Sequence, residues 1–179
     1  MAELRQTASP AGAVAPTGRV QLYTDAERAR RDASPWTVVQ GVLAPLQFVV
    51  FLVSTVLVLR ALTGSGSEQA ALVSVVLKTL LLYAIMVTGA IWEHDVFGQY
   101  LFARPFFWED VVSMGVLALH TLYLWGWSTA AWPASTLLVI ALLAYLAYVI
   151  NAAQFLLKLR AARREAAIVA APLALAESR

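Results

Sequence analysis

The sequence predicts an all-α integral membrane protein, built as a four-transmembrane-helix bundle. Two features of the composition indicate this class: 60% of the 179 residues are apolar, and only 13% are charged. That is too little charge to cover a water-soluble globule of this length. The third feature is four long apolar runs, each able to cross about 30 Å of hydrocarbon as a helix of about 20 residues.

Local signals place the ends of these four helices. Serine is favoured at the N-cap of a helix and proline at its first helical position. Ser34 and Pro35 therefore predict that the first helix begins there. Gly64 and Gly66 predict a flexible turn before the second helix. The four predicted spans are residues 36–62, 68–93, 105–127 and 133–158.

The chain divides into three parts. Residues 1–33 are predicted to be a disordered, polar, cytoplasmic N-terminal segment without the apolar core of a signal peptide. Within them, Thr24 and Glu27 have capping-box spacing, which favours a short charged helix through Asp32. Residues 34–160 form the transmembrane domain, and residues 161–179 a cytoplasmic tail. The apolar stretch 166–176 is too short to span and contains Pro172, so we expect it to be interfacial or disordered.

Charge asymmetry predicts the orientation. The loops near Ser65 and Ala130 carry no basic residue, whereas both ends of the chain do. The positive-inside rule therefore places both termini in the cytoplasm, which requires an even number of spans. The basic residues of the two ends are Arg5, Arg19, Arg28, Arg30, Arg31, Lys158, Arg160, Arg163, Arg164 and Arg179.

Several function classes are excluded. The chain has no cysteine, so disulfides, thiolate nucleophiles and cysteine-ligated metal clusters are absent. Its net charge of +2 resides in the tails and forms no basic patch interleaved with aromatics, so nucleic-acid binding is not expected. No dinucleotide-binding fingerprint is present.

Polar residues at membrane depth are costly and are therefore candidate functional residues. In the first helix Gln40, Gln47 and Ser54 recur every seven residues, as either interhelical packing contacts or part of a site. In the second helix Lys78 is near the middle, where it either extends toward the interface, pairs with a carboxylate, or binds a ligand. The fourth helix carries a broad polar face: Tyr148, Asn151, Gln154 and Lys158.

The largest concentration of acidic and aromatic residues flanks the predicted hairpin between the second and third helices. Glu93 follows Trp92 at the end of one helix, and Glu109 and Asp110 follow Trp108 at the start of the next. Both acidic clusters fall on the cytoplasmic side, where they can face one another. The intervening residues would form an aromatic surface beside one guanidinium group. Such a surface suits a large flat ligand that carries a carboxylate. These residues are Phe97, Tyr100, Phe102 and Arg104.

Farther along the third helix, Ser113 and His120 share a stripe with Glu109. About 16 Å separates Glu109 from His120, which is comparable with the width of a tetrapyrrole. Plainer interpretations compete with these roles. Acids in the first turn of a helix are stabilised by its dipole without any catalytic part, and a neutral histidine can simply be hydrogen-bonded inside the bundle.

Seven segments resemble one known family, the 3-vinyl bacteriochlorophyllide hydratases of anoxygenic phototrophs. The similarity covers residues 23–164 and includes the polar residues named above. It departs from the family pattern at His94, Asp95 and Arg104. The matching segments are YTDAER (23–28), ASPWT (33–37), VQGVLAPLQF (39–48), LYAIMVTGAIWE (82–93), FFWEDV (106–111), LALHT (117–121) and NAAQFLLKLR (151–160).

The resemblance implies a lyase of bacteriochlorophyll biosynthesis in the bacterial inner membrane. It would add water across the C3 vinyl group of chlorophyllide a or a bacteriochlorin relative, giving the 3-(1-hydroxyethyl) product. No cofactor is expected because hydration transfers no electrons, and the only metal is the magnesium that the substrate carries. His120 is a candidate ligand to that magnesium, and Lys78 or Arg104 a candidate partner for the C17 propionate.

For the chemistry we expect Glu109 to protonate the terminal vinyl carbon and Glu93 to orient or deprotonate the attacking water, with Asp110 as a further candidate. Expected partners are the pigment, membrane lipid and other enzymes of the same pathway. A non-catalytic pigment-binding or delivery protein is the alternative function. A small transporter is disfavoured because no internal inverted repeat is present. The expected substrate-binding residues are His120, Lys78, Arg104, Trp92, Trp108, Gln47, Asn151 and Gln154.

Overall fold

The computed structural model describes the backbone of residues 22–177 and the side chains of residues 22–164. In this part of the chain all regular structure is helical. Four of the helices are long and apolar enough to cross a membrane, so the chain is a multi-pass helical membrane protein. The helices are α1 (Asp25–Ala33), α2 (Pro35–Leu62), α3 (Glu68–Phe97), α4 (Phe107–Ser128) and α5 (Ala134–Glu177).

The four predicted spans are confirmed, but their ends differ. Helix α3 continues one turn beyond Glu93 and stops where Gly98 adopts the left-handed conformation, with φ of 81°. Helix α5 does not end at Lys158, so that prediction was wrong. Its backbone stays helical to Glu177, because the residues after Lys158 are mostly Ala, Leu and Arg, which are strong helix formers. Whether residues 166–176 lie at the membrane interface stays a prediction.

The four spans pack as two closely associated pairs. Helix α2 packs along α3 and α4 packs along α5, whereas the contacts between the two pairs (α2 with α5, α3 with α4 and α3 with α5) are far fewer. The apolar core lies toward the loops at Ser65 and Ala130. Its buried members are Phe51, Val58, Ala71, Val75, Tyr123, Leu137, Leu138, Ala141 and Tyr145.

Helix α1 forms where the capping box predicted it. The Glu27 N–H donates to Thr24 Oγ1 at 3.3 Å, and the Thr24 N–H donates to Glu27 Oε2 at 2.7 Å. Ser34 is the N-cap of α2, yet its hydroxyl donates to Asp95 Oδ2 at 2.8 Å instead of capping the helix. This bond ties the start of α2 to the end of α3. The rest of the segment predicted to be disordered, residues 1–21, lies outside the described residues.

Candidate active site at the α3–α4 hairpin

Three carboxyl groups are buried where the α3–α4 hairpin folds back on itself. Glu93, Glu109 and Asp110 are 4%, 7% and 8% exposed, respectively. Glu93 is in the last turns of α3, and the other two are in the first turn of α4. Buried carboxyl groups need partners, so the identity of each partner indicates what each group can do.

Glu93 and Asp110 bind two consecutive backbone amides of the hairpin. The Phe102 N–H donates to Asp110 Oδ2 at 2.7 Å, and the Ala103 N–H donates to Glu93 Oε1 at 3.1 Å. Phe102 has φ of 62°, a left-handed conformation that is unusual for a bulky residue and that turns successive N–H groups toward one anion site. Because two adjacent backbone amides hold them, the Glu93 and Asp110 carboxyl groups lie next to each other at the hairpin.

Glu109 has a different partner. Lys158 of α5 donates to Glu109 Oε2 at 2.5 Å and also to the Pro105 carbonyl, and its ammonium lies 4.9 Å from the Phe106 ring centroid. Glu109 is therefore half of an ion pair that joins the hairpin to α5. The carboxyl group that meets Glu93 is that of Asp110, not that of Glu109.

An aromatic cluster closes this end of the bundle. Tyr23, just before α1, is buried against Phe97 and Phe106, with centroid distances of 5.8 and 6.3 Å. Arg31 lies 5.0 Å from the Tyr23 ring centroid. Burial raises the pKa of Tyr23 and the Arg31 charge opposes this. Sequence reasoning did not single out Tyr23. The available signal was an aromatic residue directly before the capping box.

The predicted aromatic and basic residues of the hairpin separate into two groups. Trp92 lies inside, where its Nε1–H donates to Thr37 Oγ1 at 2.9 Å and its ring meets Phe106. Trp108 is 70% exposed, and Arg104 is also exposed. Exposed tryptophan and arginine are typical of the headgroup level of a membrane. These two side chains lie outside the carboxyl pair and do not enclose it.

Lys78 and His120 lie elsewhere, fully buried in the bundle interior. The Lys78 ammonium is 3.9 Å from the Tyr148 ring centroid, and Nζ has no hydrogen-bond partner among the described residues. His120 Nδ1 is 2.8 Å from the Val116 carbonyl oxygen. Because a carbonyl only accepts, Nδ1 carries the hydrogen, which leaves Nε2 with a free lone pair.

The other predicted polar residues also face the interior. Asn151 Nδ2 donates to Ser113 Oγ at 2.8 Å. Gln40 Nε2 donates to Thr88 Oγ1 at 2.7 Å, which supports the packing interpretation of the α2 stripe. Ser54 also bonds across helices, to Ser74 and Tyr145. Three buried amide oxygens have no partner among the described residues: Gln47 Oε1, Asn151 Oδ1 and Gln154 Oε1.

Distances along the helices separate this interior polar set from the carboxyl pair. Lys78 precedes Glu93 by fifteen residues, or about 22 Å along α3. His120 follows Asp110 by ten residues, or about 15 Å along α4. Within the described part of the chain no cluster of three or more acidic or histidine side chains could hold a metal ion.

Fold and site together define a multi-pass helical membrane protein with a pair of buried carboxyl groups at one end of the bundle. Comparison with known proteins then gives the family. The family model described as 2-vinyl bacteriochlorophyllide hydratase matches residues 23–161, and the chain belongs to that family. The name of the family model numbers the vinyl position as 2, whereas the family named in the sequence analysis numbers it as 3. No solved structure matches the chain.

Two curated relatives share most of their length with this chain. One from Rhodobacter capsulatus, named 2-vinyl bacteriochlorophyllide hydratase, is 65% identical over 150 residues, covering 83% of this chain and 86% of the relative. One of the same name from Cereibacter sphaeroides is 60% identical over 154 residues, covering 86% of this chain and 94% of the relative.

Proposed function

We propose that this chain is a hydro-lyase of bacteriochlorophyll biosynthesis, which adds water to the ring vinyl group of a magnesium tetrapyrrole such as chlorophyllide a. The product carries a 1-hydroxyethyl group in place of the vinyl group. Family membership and the names of two relatives of at least 60% identity support this function. The observation that carries the mechanism is the Glu93–Asp110 pair held on the adjacent amides of Phe102 and Ala103.

Hydration of a vinyl group needs both an acid and a base. Proton transfer to the terminal carbon uses the vinyl π electrons to form a C–H bond and leaves a cation on the carbon attached to the ring, where the conjugated macrocycle delocalises it. A water oxygen then forms the C–O bond and gives up a proton to a base. One protonated and one ionised carboxyl group supply both functions.

The helix ends indicate which member of the pair holds the proton. Asp110 lies in the first turn of α4, where the helix dipole stabilises negative charge, and it has the shorter bond to a backbone amide. Glu93 lies near the carboxyl end of α3, where the dipole disfavours negative charge. Glu93 is therefore the acid and Asp110 the base. After each turnover the proton passes back from Asp110 to the adjacent Glu93, which resets the pair.

Glu109 has a positioning role in this scheme instead of the acid role that the sequence suggested. Its ion pair with Lys158 anchors the first turn of α4, from which Asp110 projects. An ion-paired carboxylate holds no proton to donate, which argues against Glu109 as the general acid.

The substrate's own groups suggest partners near the pair. Arg104 follows Ala103 directly and is exposed at headgroup level, so it is better placed than Lys78 to bind the substrate propionate. Lys78 is about 22 Å from Glu93 along α3, farther than the width of a tetrapyrrole. Hydration transfers no electrons, so no redox cofactor is required, and the magnesium belongs to the substrate.

The proposed setting is the bacterial inner membrane, with both termini in the cytoplasm. Among the described residues, basic side chains concentrate in α1 and from Lys158 to Arg164, at the same end of the bundle as the carboxyl pair. The pair then faces the cytoplasmic leaflet, where other enzymes of the pathway can deliver the substrate and receive the product.

The test is conversion of a pigment by the purified chain. The protein in nanodiscs is mixed with chlorophyllide a in heavy-oxygen water, and the products are analysed by mass spectrometry. Hydration gives a product heavier by one labelled water. A chain that binds chlorophyllide a tightly without forming this product would instead be a pigment-binding or delivery protein.

A further inference from the structure

A shallow groove runs along the outer surface of α4 and its boundary with α3. It consists of two adjoining hollows that share Leu117 and Thr121: one of about 540 Å³ lined by α4 alone, and one of about 310 Å³ between α3 and α4. Each alone is within the usual size range of a small-molecule site. The walls are almost entirely apolar, with Met86 and Val87 on the α3 side and Met114, Ala118, Leu122 and Trp125 on the α4 side.

Helical spacing places the carboxyl pair on the same sides of α3 and α4 as the groove. On α4, Asp110, Met114, Leu117 and Thr121 follow one another at intervals of three and four residues, so they form a single ridge. Asp110 is thus one helical turn, or about 6 Å, beyond Met114. On α3, Tyr83, Met86 and Glu93 also fall within one side of the helix. The acid and the base therefore stand at the hairpin end of the two walls.

We propose that this groove is the binding site of the macrocycle, which enters sideways from the lipid with its vinyl edge toward Glu93 and Asp110. This inference rests on the proposed hydratase function. A flat, largely apolar ring dissolved in the bilayer matches a slot that has apolar walls and opens to lipid.

The groove also has one polar contact in its wall. The Tyr83 hydroxyl and Thr121 Oγ1 are 2.9 Å apart, and Thr121 Oγ1 donates to the Leu117 carbonyl at 2.8 Å. Tyr83 therefore donates to Thr121, which links α3 to α4 across the groove. The bond lies at Thr121, one of the two residues that both hollows share.

The test places a larger side chain in the groove, at a residue for which no other role is proposed. Ala118 lines the groove, is exposed and lies in the middle of α4. Ala118→Trp should weaken chlorophyllide binding in nanodiscs, measured by fluorescence titration, by about tenfold or more, with a matching rise in KM. Ala118→Leu adds less volume and should have a smaller effect of the same kind. Ala153→Trp, at an exposed alanine of α5, is the matched control and should leave both constants unchanged.

The outcomes separate this inference from the proposed function. If the wild-type chain hydrates the pigment but Ala118→Trp and Ala118→Leu bind and turn over like Ala153→Trp, the macrocycle does not occupy the groove. If Ala118→Trp instead changes only the oligomeric mass in detergent, the groove is an interface between two copies and the inference is wrong. If the wild type binds pigment without hydrating it, and Ala118→Trp weakens that binding, the groove assignment holds while the hydratase function fails.

Discussion

The Glu109–Lys158 ion pair provides a sharp test of which carboxyl group does the chemistry. Lys158→Met removes the ammonium and leaves Glu109 buried without a counter-charge. Loss of one partner of a buried ion pair lowers the free energy of unfolding by about 3–5 kcal/mol. For Lys158→Met the decrease should be near the lower end, about 3 kcal/mol, because the Lys158 side chain keeps 23% of its surface exposed.

The double variant Glu109→Gln with Lys158→Met should recover most of this loss. Both charges are then gone, and the main remaining deficit is the Pro105 carbonyl that loses the Lys158 donor, worth about 1 kcal/mol. Unfolding free energy is measured by reversible denaturation in mixed detergent micelles, and turnover is measured on the folded fraction.

Turnover decides between a positioning and a catalytic role. If Glu109 only anchors α4, the double variant hydrates within a few-fold of wild type, since Asp110 and Glu93 remain in place. If Glu109 is the general acid, every variant without its carboxyl group loses about 10²–10⁴-fold in turnover, and restoring stability does not rescue it. The second result would refute the assignment of Glu93 as the acid.

Three further predictions address the rest of the molecule. His120 is fully buried and does not line the groove, so His120→Ala should affect binding of a magnesium chlorin and of its metal-free counterpart equally; a selective loss for the magnesium chlorin in titration would instead show that Nε2 ligates the substrate magnesium. Gly126→Ala should destabilise the fold by about 1–3 kcal/mol, because the new Cβ would overlap the Trp132 ring, and an unchanged melting temperature would contradict this packing. Reporter fusions at both termini should score cytoplasmic, and fusions near Ser65 and Ala130 periplasmic; a periplasmic C-terminus would contradict the proposed orientation.

The spans could be predicted from the sequence because length and apolar content alone determine whether a helix can cross a membrane. The ends of the helices were harder to predict. Charge usually marks the interface, which favours Glu93 as the end of its helix, whereas the actual stop is Gly98, which supplies the left-handed residue. The same reasoning favours an end at Lys158, although no helix-breaking residue follows it for more than ten positions.

The site was predictable as a set of residues but not as a set of partners. Proximity of Glu93 to the acids of the next helix follows from any tight hairpin. Which acid meets Glu93 depends on the path of residues 98–106, and this path includes Phe102 in a conformation that sequence preferences assign to Gly or Asn. The partner of Glu109, Lys158, is 49 positions away and on another helix, so no local pattern indicates it.

The central claim is that Glu93 and Asp110 act as the acid and the base of a vinyl hydration. The most direct measurement is single-turnover hydration of chlorophyllide a by Glu93→Gln and Asp110→Asn, with pigment affinity determined separately by fluorescence titration. Both substitutions keep the side-chain shape and an oxygen acceptor for the hairpin amides, but neither amide can exchange a proton. The account predicts turnover lowered by about 10²–10⁴-fold in each variant, with affinity nearly unchanged. Normal turnover in either variant would contradict it.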